Sequence, residues 1–189
     1  MSRGTVIALA DGVGGGPNGR QAAEIALESI CSTQWNNSDG KFPISTAISN
    51  ANRAVCRLAS SRGRPATTLA AIFADSLAIT GINVGDSRIY DVTDVVPKIV
   101  TRDHRSTVNR RAITRFLGGS PAQAVPHSVK LWRGRNYLIC SDGLFEFLPT
   151  STLRLDPTVE PEIAISRLIS RALAAGSDDN ISGVYCTVA

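Results

Sequence analysis

The sequence predicts an α+β fold in which amphipathic helices and antiparallel strands occupy separate parts of the chain. Apolar residues recur every three or four positions over Gln21–Ile30 and again from Ala47 to Ala59, which is the spacing of a helix with one buried face. From Thr68 onward, short apolar runs alternate with turn residues, and such short connections favour antiparallel hairpins. Together the two patterns predict the α+β class.

The individual elements follow from the same patterns in chain order. The predicted strands are Thr5–Ala10, Leu69–Phe73, Leu77–Val84, Arg88–Val92, Tyr137–Cys140 and Ile181–Val188. The predicted helices are Gln21–Ile30, Ala47–Ala59 and Pro161–Ala174. The segment Arg102–Pro126 is polar and basic with little periodicity, so we predict a long surface loop with one short helix near Val108–Phe116.

Composition indicates one domain, residues 1–189, because a chain of this length with 43% hydrophobic residues suits a single core. The net charge of +4 comes from scattered arginines without a lysine-rich tract. That distribution argues against a nucleic-acid surface and fits acidic or phosphorylated partners. No run approaches the roughly 18 apolar residues of a membrane span, and the first residues do not form a signal peptide. The expected location is therefore the cytoplasm, without a membrane partner.

The cysteines and histidines are not arranged for zinc binding or catalysis. The four cysteines lie far apart and include no Cys-x-x-Cys pair, which predicts reduced core thiols and argues against a disulfide framework. They are Cys31, Cys56, Cys140 and Cys186. His104 and His127 both have polar neighbours in the sequence and are predicted to be surface residues.

Two short motif matches are coincidental. The segment from Gly14 to Gly19 fits G-x-G-x-x-G after a strand and before a helix, as in dinucleotide-binding proteins. The polar residues 32–41 offer no second parallel strand, so the βαβ unit that such a site needs is not completed. Cys56 and Arg62 have the spacing of cysteine phosphatases, but they follow an amphipathic helix without a glycine loop.

Four aspartates stand at the ends of predicted strands and predict a metal site. They are Asp11, Asp86, Asp142 and Asp179, and the first three have a glycine beside them. Strand ends on one rim of a sheet bring distant residues together, and glycine lets a backbone carbonyl approach the same ion. Oxygen ligands suit Mg²⁺ or Mn²⁺, and two such ions about 4 Å apart can activate water for phosphate hydrolysis. Each aspartate taken singly is also a common turn or cap residue.

The order of these motifs resembles the protein phosphatase 2C family. The matching segments are Ala10-Asp-Gly-Val-Gly-Gly15, Thr67-Thr-Leu69, Gly85-Asp-Ser-Arg88, Ser141-Asp-Gly-Leu144 and Asp179-Asn180. They extend from near the start to near the end of the chain, and their ordered combination is highly specific. Asp103-His104, Ile113-Thr-Arg115 and Leu117-Gly118 are similar to the flap region of that family.

The resemblance implies a fold, an activity and a role for each aspartate. The fold would be two packed antiparallel sheets flanked by helices, a four-layer αββα sandwich. The activity would be hydrolysis of phosphoserine and phosphothreonine in proteins, with Asp11, Asp142 and Asp179 as the catalytic residues. Asp11 would bridge two Mn²⁺ or Mg²⁺ ions, the Gly12 carbonyl would help hold one, and Asp142 and Asp179 would complete the other. Asp86 matches either a third, weaker metal position or a structural turn. The partners would be phosphorylated proteins and an opposing kinase.

Two departures from the family pattern affect this prediction. Val13 stands where many eukaryotic members carry a histidine, so a water must protonate the leaving group. The first family motif, an arginine followed by Asn-Glu-Asp on an N-terminal strand, is not found in residues 1–189. We therefore expect a truncated start, a substitute such as Arg3 or Arg20, or lost catalysis. The alternative function is a catalytically weak or inactive regulatory module that binds phosphoproteins. The retained aspartates favour an enzyme, because clustered carboxylates repel one another unless cations are present.

Overall fold

Two four-stranded antiparallel sheets form the centre of the molecule. The computed structural model describes residues 4–14, 17–36, 39–58, 63–109, 112–156 and 158–188. The strands are β1 (Thr5–Leu9), β2 (Leu69–Ala74), β3 (Ile79–Val84), β4 (Arg88–Asp91), β5 (Lys98–Ile99), β6 (His127–Leu131), β7 (Arg135–Cys140) and β8 (Gly183–Val188). The helices are α1 (Pro17–Cys31), α2 (Ile44–Cys56), α3 (Asp142–Phe145) and α4 (Pro161–Ala174), with a 3₁₀ turn at Thr150–Leu153. The strand orders are β1-β2-β3-β6 and β5-β4-β7-β8. None of these helices is long and apolar enough to cross a membrane.

The molecule has four layers because both sheets are apolar on both faces. Along β2, Leu69, Ala71 and Phe73 pack with α1 and α2, whereas Ala70 and Ile72 pack with the second sheet. This alternation is the period of two that a strand imposes on its side chains. In β7, Leu138 and Cys140 face α3 and α4, while Tyr137 and Ile139 lie between the sheets. The predicted αββα sandwich is confirmed.

The hairpin prediction holds for β2 and β3 but is wrong for β3 and β4. Strands β2 and β3 pair along their full length, from Leu69↔Val84 to Ala74↔Ile79. Strand β4 instead pairs with β5 and β7 in the other sheet. The chain changes sheet at Gly85, whose φ of 103° lies in the left-handed region that glycine adopts without strain. Asp86 therefore lies in the connection between the two sheets.

The loop Arg102–Pro126 differs from its prediction. The short helix expected near Val108–Phe116 is not formed by residues 108–109 or 112–116, and residues 110–111 lie outside the described part of the chain. Arg105 forms an antiparallel bridge with Ile113, and Leu117 forms another with Thr67. The first bridge folds the loop back on itself, and the second ties it to the segment before β2. The bridged residues are therefore held in extended conformations and not in a helix.

The cysteines are free as predicted, but only two of the four are in or near the core. All four are free, Cys140 is buried and Cys186 is half-buried. Cys31 and Cys56, the last residues of α1 and α2, are exposed. Ile30 and Val55, their direct neighbours in the same last turns, are buried in the core, so the two cysteines lie on the outward side of each helix.

Candidate metal centre

The fold brings the four predicted aspartates together from four different parts of the chain. Asp11 follows β1, Asp86 lies between β3 and β4, Asp142 begins α3 directly after β7, and Asp179 precedes β8. The negative charges of Asp142, Asp179 and Asp86 all act on the Asp11 carboxyl group. The site is therefore assembled from both sheets.

The electrostatics of this cluster are those of a site with excess negative charge. Burial, followed by the charges of Asp142, Asp179 and Asp86, raises the pKa of Asp11 to about 7. Burial also raises the pKa of Asp142, as do the charges of Asp179 and Glu146. The pKa of Asp86 is raised by burial although the charge of Arg105 opposes that change. A cation at this place would relieve the repulsion.

The backbone of Asp11 is fixed by hydroxyl groups of the neighbouring strand. The Asp11 carbonyl accepts hydrogen bonds from the Thr67 hydroxyl and the Thr68 amide, both at 2.8 Å. The Asp11 amide donates to Thr68 Oγ1 at 3.1 Å, and that hydroxyl lies 2.7 Å from Ser87 Oγ. Thr67, Thr68 and Ser87 are all buried. The threonine motif therefore positions Asp11 directly, and Ser87 of the Gly85–Arg88 motif supports it through Thr68.

Gly12 is held against helix α1 by a contact that leaves no room for a side chain. A Cβ atom at Gly12 would lie 2.2 Å from the backbone carbonyl carbon and oxygen of Gly19. Gly12 also forms an antiparallel bridge with Thr67. The glycine is therefore needed for close approach of two backbone segments, and the approach fixes the peptide that follows Asp11.

Asp142 and Asp179 are joined through their neighbours. The Ser141 hydroxyl donates to the Asn180 carbonyl at 3.2 Å and accepts from the Ser182 amide at 3.0 Å. A Cβ atom at Gly143 would lie 2.5 Å from the Asn180 carbonyl oxygen, so glycine lets α3 approach the segment before β8. The carboxylates of Asp142 and Asp179 accept from the next backbone amides, at 2.9 Å and 2.7 Å.

The guanidinium of Arg105, which no sequence motif indicated as a site residue, lies among these carboxylates. Its Nε donates to Asp86 Oδ2 at 2.9 Å, its Nη2 lies 3.4 Å from Asp142 Oδ2, and its Nη1 pairs with Glu146. The arginine side chain is 20% exposed, so its charge sits within the site. Arg105 belongs to the loop that was predicted only as a basic surface loop. Its position directly after the Asp103-His104 motif was the one available signal.

A second arginine, Arg88, supports the base of the site. It forms a two-pronged ion pair with Asp103, with Nη2 2.7 Å from Oδ2, and donates to the Tyr90 hydroxyl at 3.0 Å. Its guanidinium carbon lies 3.7 Å from the centroid of the Phe145 ring. Because Phe145 ends the short helix that Asp142 begins, this stacking links the loop to α3.

His104 is buried, and its prediction as a surface residue is wrong. Its Nδ1 accepts a hydrogen bond from the Gly85 amide at 3.1 Å, and its own amide donates to the Gly85 carbonyl at 2.9 Å. Burial and the positive charge of Arg115 lower the pKa of His104 to about 4, so the ring is neutral at neutral pH. The neutral ring holds the turn that presents Asp86.

The donor set fits Mn²⁺ or Mg²⁺ in its chemistry, although it is not closed around an ion. Carboxylate and carbonyl oxygens are the ligands that these hard cations prefer. Over the described ranges, no group of three or more His, Cys, Asp or Glu side chains is arranged to hold a metal ion. Two of the predicted ligands, Asp86 and Asp142, point instead towards Arg105. The negative charge of the site therefore suits a bound cation, and the Arg105 side chain occupies part of the space that such a cation would fill.

The two predicted substitutes for a phosphate-binding arginine are not in the cluster. Arg20 forms an ion pair with Glu24 one turn along α1, and its side chain is 83% exposed. Arg3 lies outside the described residues. Val13, where no general acid was expected, is exposed.

Comparison with known proteins identifies the family. The protein phosphatase 2C family matches residues 1–174. The chain belongs to this family. The family prediction made from the ordered motifs is confirmed. The serine/threonine protein phosphatase PstP of Mycobacterium tuberculosis is 27% identical over 97% of the chain, which spans only 40% of the length of that relative. The serine/threonine phosphatase stp of Listeria innocua is 26% identical, over 94% of this chain and 82% of its own length.

Solved phosphatase structures share the fold. The phosphatase MsPP of Mycobacterium smegmatis, in complex with cacodylate, superposes with a TM-score of 0.81 at 26% identity, covering 100% of this chain and 90% of that one. The catalytic domain of PstP in complex with two manganese ions gives a TM-score of 0.78 at 24% identity, covering 97% and 88%. The two manganese ions belong to the PstP structure.

We expect Gly12→Ala to destabilise the protein. Because the added methyl group would overlap the Gly19 backbone, the free energy of unfolding should fall by about 1 to 3 kcal/mol. Gly183→Ala is the matched control, because a Cβ there meets its nearest atom at 3.5 Å. Urea denaturation of both variants measures the effect. Equal stability of the two variants would contradict the proposed packing.

The lowered pKa of His104 predicts a pH dependence of stability. The unfolded ring, with a pKa near 6.5, takes up a proton at a higher pH than the folded ring, whose pKa is about 4. His104 therefore stabilises the fold fully above about pH 6.5, and this contribution of up to about 3 kcal/mol is lost as the pH falls towards 4. Arg115 and His127 oppose protonation, and Asp103 favours it.

The variant His104→Asn tests this expectation, because its amide oxygen can accept the Gly85 hydrogen bond without titrating. We expect the difference in unfolding free energy between wild type and variant to shrink from pH 7 to about pH 4.5. Comparing the two proteins at each pH removes the contribution of Asp11, whose raised pKa has the opposite sign. A difference that does not change with pH would count against a neutral buried His104.

Proposed function

We propose that the chain hydrolyses phosphoserine and phosphothreonine in proteins with the help of two divalent cations, Mn²⁺ or Mg²⁺. The observation that carries the proposal is the convergence of four aspartates from both sheets of a protein phosphatase 2C fold, where burial and the charges of the other three raise the pKa of Asp11 to about 7. The relatives named as serine/threonine phosphatases support the substrate class. Because the chain spans 40% of the PstP length, the activity and substrates are proposals for this chain.

Each residue of the site has a role that follows from its position. The charges of all three other aspartates act on Asp11, so its carboxylate would bridge the two ions, and the Gly12 carbonyl would help hold one of them. Asp142 and Asp179, joined by the Ser141–Asn180 contact, would hold the other ion. When bound, the ions would lower the pKa of an attacking water and stabilise negative charge on the phosphoryl oxygens. The protein supplies the alignment through its buried hydroxyl groups and backbone contacts.

The partners follow from the same chemistry. A phosphatase of this kind acts on phosphorylated proteins, and a kinase that adds those phosphates would oppose it. The basic loop residues around Arg102 carry charge of the sign that attracts phosphorylated segments. The cytoplasm, where kinases and their substrates meet, is the location that we propose.

A second candidate function is a phosphatase-fold module that binds phosphoproteins with little or no catalysis. The observation that favours it is Arg105, which supplies a positive charge to Asp86, Asp142 and Glu146. Clustered carboxylates depend less on metal ions when the protein provides a cation of its own. Hydrolysis measurements separate the two candidates.

Mn²⁺ binding should release protons from Asp11. At pH 7 the carboxyl group is about half protonated, and a bound cation favours the carboxylate, so about half a proton should leave for each chain. Calorimetric titration in two buffers of different ionisation enthalpy measures this release. Asp11→Asn should abolish the release and weaken Mn²⁺ binding, whereas Asp178→Asn, which changes an exposed neighbour of Asp179, should behave as wild type. Unchanged Mn²⁺ affinity in Asp11→Asn would remove Asp11 from the site.

Hydrolysis of a phosphothreonine peptide at saturating Mn²⁺ tests the function itself. We expect turnover to need the metal, to fall by at least about a hundredfold in Asp11→Asn and Asp179→Asn, and to persist in Asp178→Asn. Cys56→Ser should also remain active, because water and not this exposed thiol is the nucleophile. Metal binding without any turnover would favour the binding module, and loss of activity in Cys56→Ser would overturn the proposed chemistry.

A further inference from the structure

The Arg105 guanidinium occupies a place that a metal ion bound to Asp86 and Asp142 would also need. One of its nitrogens lies 2.9 Å from Asp86 Oδ2 and another 3.4 Å from Asp142 Oδ2. A third nitrogen pairs with Glu146, and Asp103 Oδ2 lies 4.0 Å from Nε. Four carboxylates from three parts of the chain therefore surround one side-chain cation.

The ion pairs of Arg105 with Asp86 and Asp142 are held in place by the residues around them, unlike an exposed ion pair on the surface. Asp86 is 7% exposed, and its turn is fixed by Gly85 and the buried ring of His104. The backbone of Arg105 is bridged to Ile113. The Phe145 ring, which Arg88 also covers, lies 5.8 Å from the Arg105 guanidinium carbon. Because both partners are held in place, little conformational entropy is lost when the ion pairs form.

Two cations cannot share the same carboxylate oxygens without repelling each other. A divalent ion at Asp86 and Asp142 would have to displace the guanidinium from Asp86 Oδ2, and the displaced arginine would remain close to the ion. Binding of the ion and seating of Arg105 therefore oppose each other, and each weakens the other by the same factor.

We propose that Arg105 is a built-in cation that occupies the Asp86–Asp142 position and limits divalent metal binding to the ions held around Asp11. In this role it is a specificity-determining residue, because it sets how many ions the site takes and how tightly the Asp142 side binds them. The same engagement with three carboxylates keeps Arg105 from serving as a phosphate ligand while it is seated. The inference deepens the proposed function and rests on divalent ions binding at Asp11.

The test is Mn²⁺ uptake, followed by the electron paramagnetic resonance signal of free Mn²⁺, with no activity assay involved. The variant is Arg105→Gln, which keeps most of the side-chain length and removes the charge. We expect it to bind one Mn²⁺ more than wild type, or to bind its weakest ion about tenfold more tightly. Arg135→Ala is the matched control, because Arg135 also pairs with two aspartates, Asp91 and Asp94, and begins the strand that ends beside the site.

A double variant shows whether the gain arises at the proposed place. In Arg105→Gln/Asp86→Asn the additional Mn²⁺ should be lost, because Asp86 is the carboxylate that the arginine releases. If the gain persists in the double variant, Arg105 acts only through its general charge and the proposal is overturned. Equal Mn²⁺ uptake by wild type, Arg105→Gln and Arg135→Ala would overturn it as well.

Thermal unfolding gives an independent measurement. Without metal, Arg105→Gln removes the ion pairs of Asp86, Asp142 and Glu146, so it should melt at a lower temperature than wild type and gain more from added Mn²⁺. A variant that folds only with Mn²⁺ present would support the proposal. Should Arg105→Gln fail to fold at all, Arg105→Lys replaces it, because a single ammonium cannot span both aspartates and should give intermediate Mn²⁺ uptake.

The outcomes also separate this inference from the proposed function. If wild type binds no Mn²⁺ and Asp11→Asn changes nothing, the metal-dependent function fails. If wild type binds Mn²⁺ through Asp11 and Arg105→Gln matches it, the function stands and the inference about Arg105 fails.

Discussion

Mutual repulsion among four carboxylates is the constraint on which the rest of the structure depends. Asp11, Asp86, Asp142 and Asp179 are carried to one place although their charges repel each other, and burial together with that repulsion raises the pKa of Asp11. The fold must hold them there by other means. Buried hydroxyl groups fix Asp11, a neutral histidine fixes the turn before Asp86, and close glycine contacts fix Gly12 and Gly143. The motifs around the aspartates are thus a framework for a charge cluster that would otherwise separate.

Arg105 reduces the dependence of the aspartate cluster on metal ions. A site that lacks any positive charge would depend on metal ions for its cohesion, but here a guanidinium neutralises part of it. Such a site can remain folded before metal arrives, and it gives up ion pairs when metal binds. Stability in the metal-free state and affinity for metal are therefore in conflict at the same atoms.

The sequence predicted the layers and the aspartates more reliably than the connections between them. Helical periodicity identified α4 because it buries one regular apolar face, and apolar runs identified β1, β2 and β8 because these strands pack on both sides. The change of sheet at Gly85 was missed, since a connection of three residues gives no indication of which strand will pair next. Strand β6 was missed because it is an edge strand whose exposed and half-buried residues alternate over only five positions. Arg105 and His104 were missed because a polar loop carries no periodicity, and its burial depends on the chain that folds over it.

The Gly85–Asp86 connection makes completion of the aspartate cluster a late event in folding. It joins two sheets whose strands are far apart in sequence, and the contacts that complete the site span 57 residues between Asp11 and Thr68 and 39 between Ser141 and Asn180. Contacts of such separation form late, because closing long segments of chain is entropically costly. Neither sheet alone contains the four carboxylates. A partly folded chain thus has no high-affinity place for a cation, and metal uptake reports that the two sheets have docked.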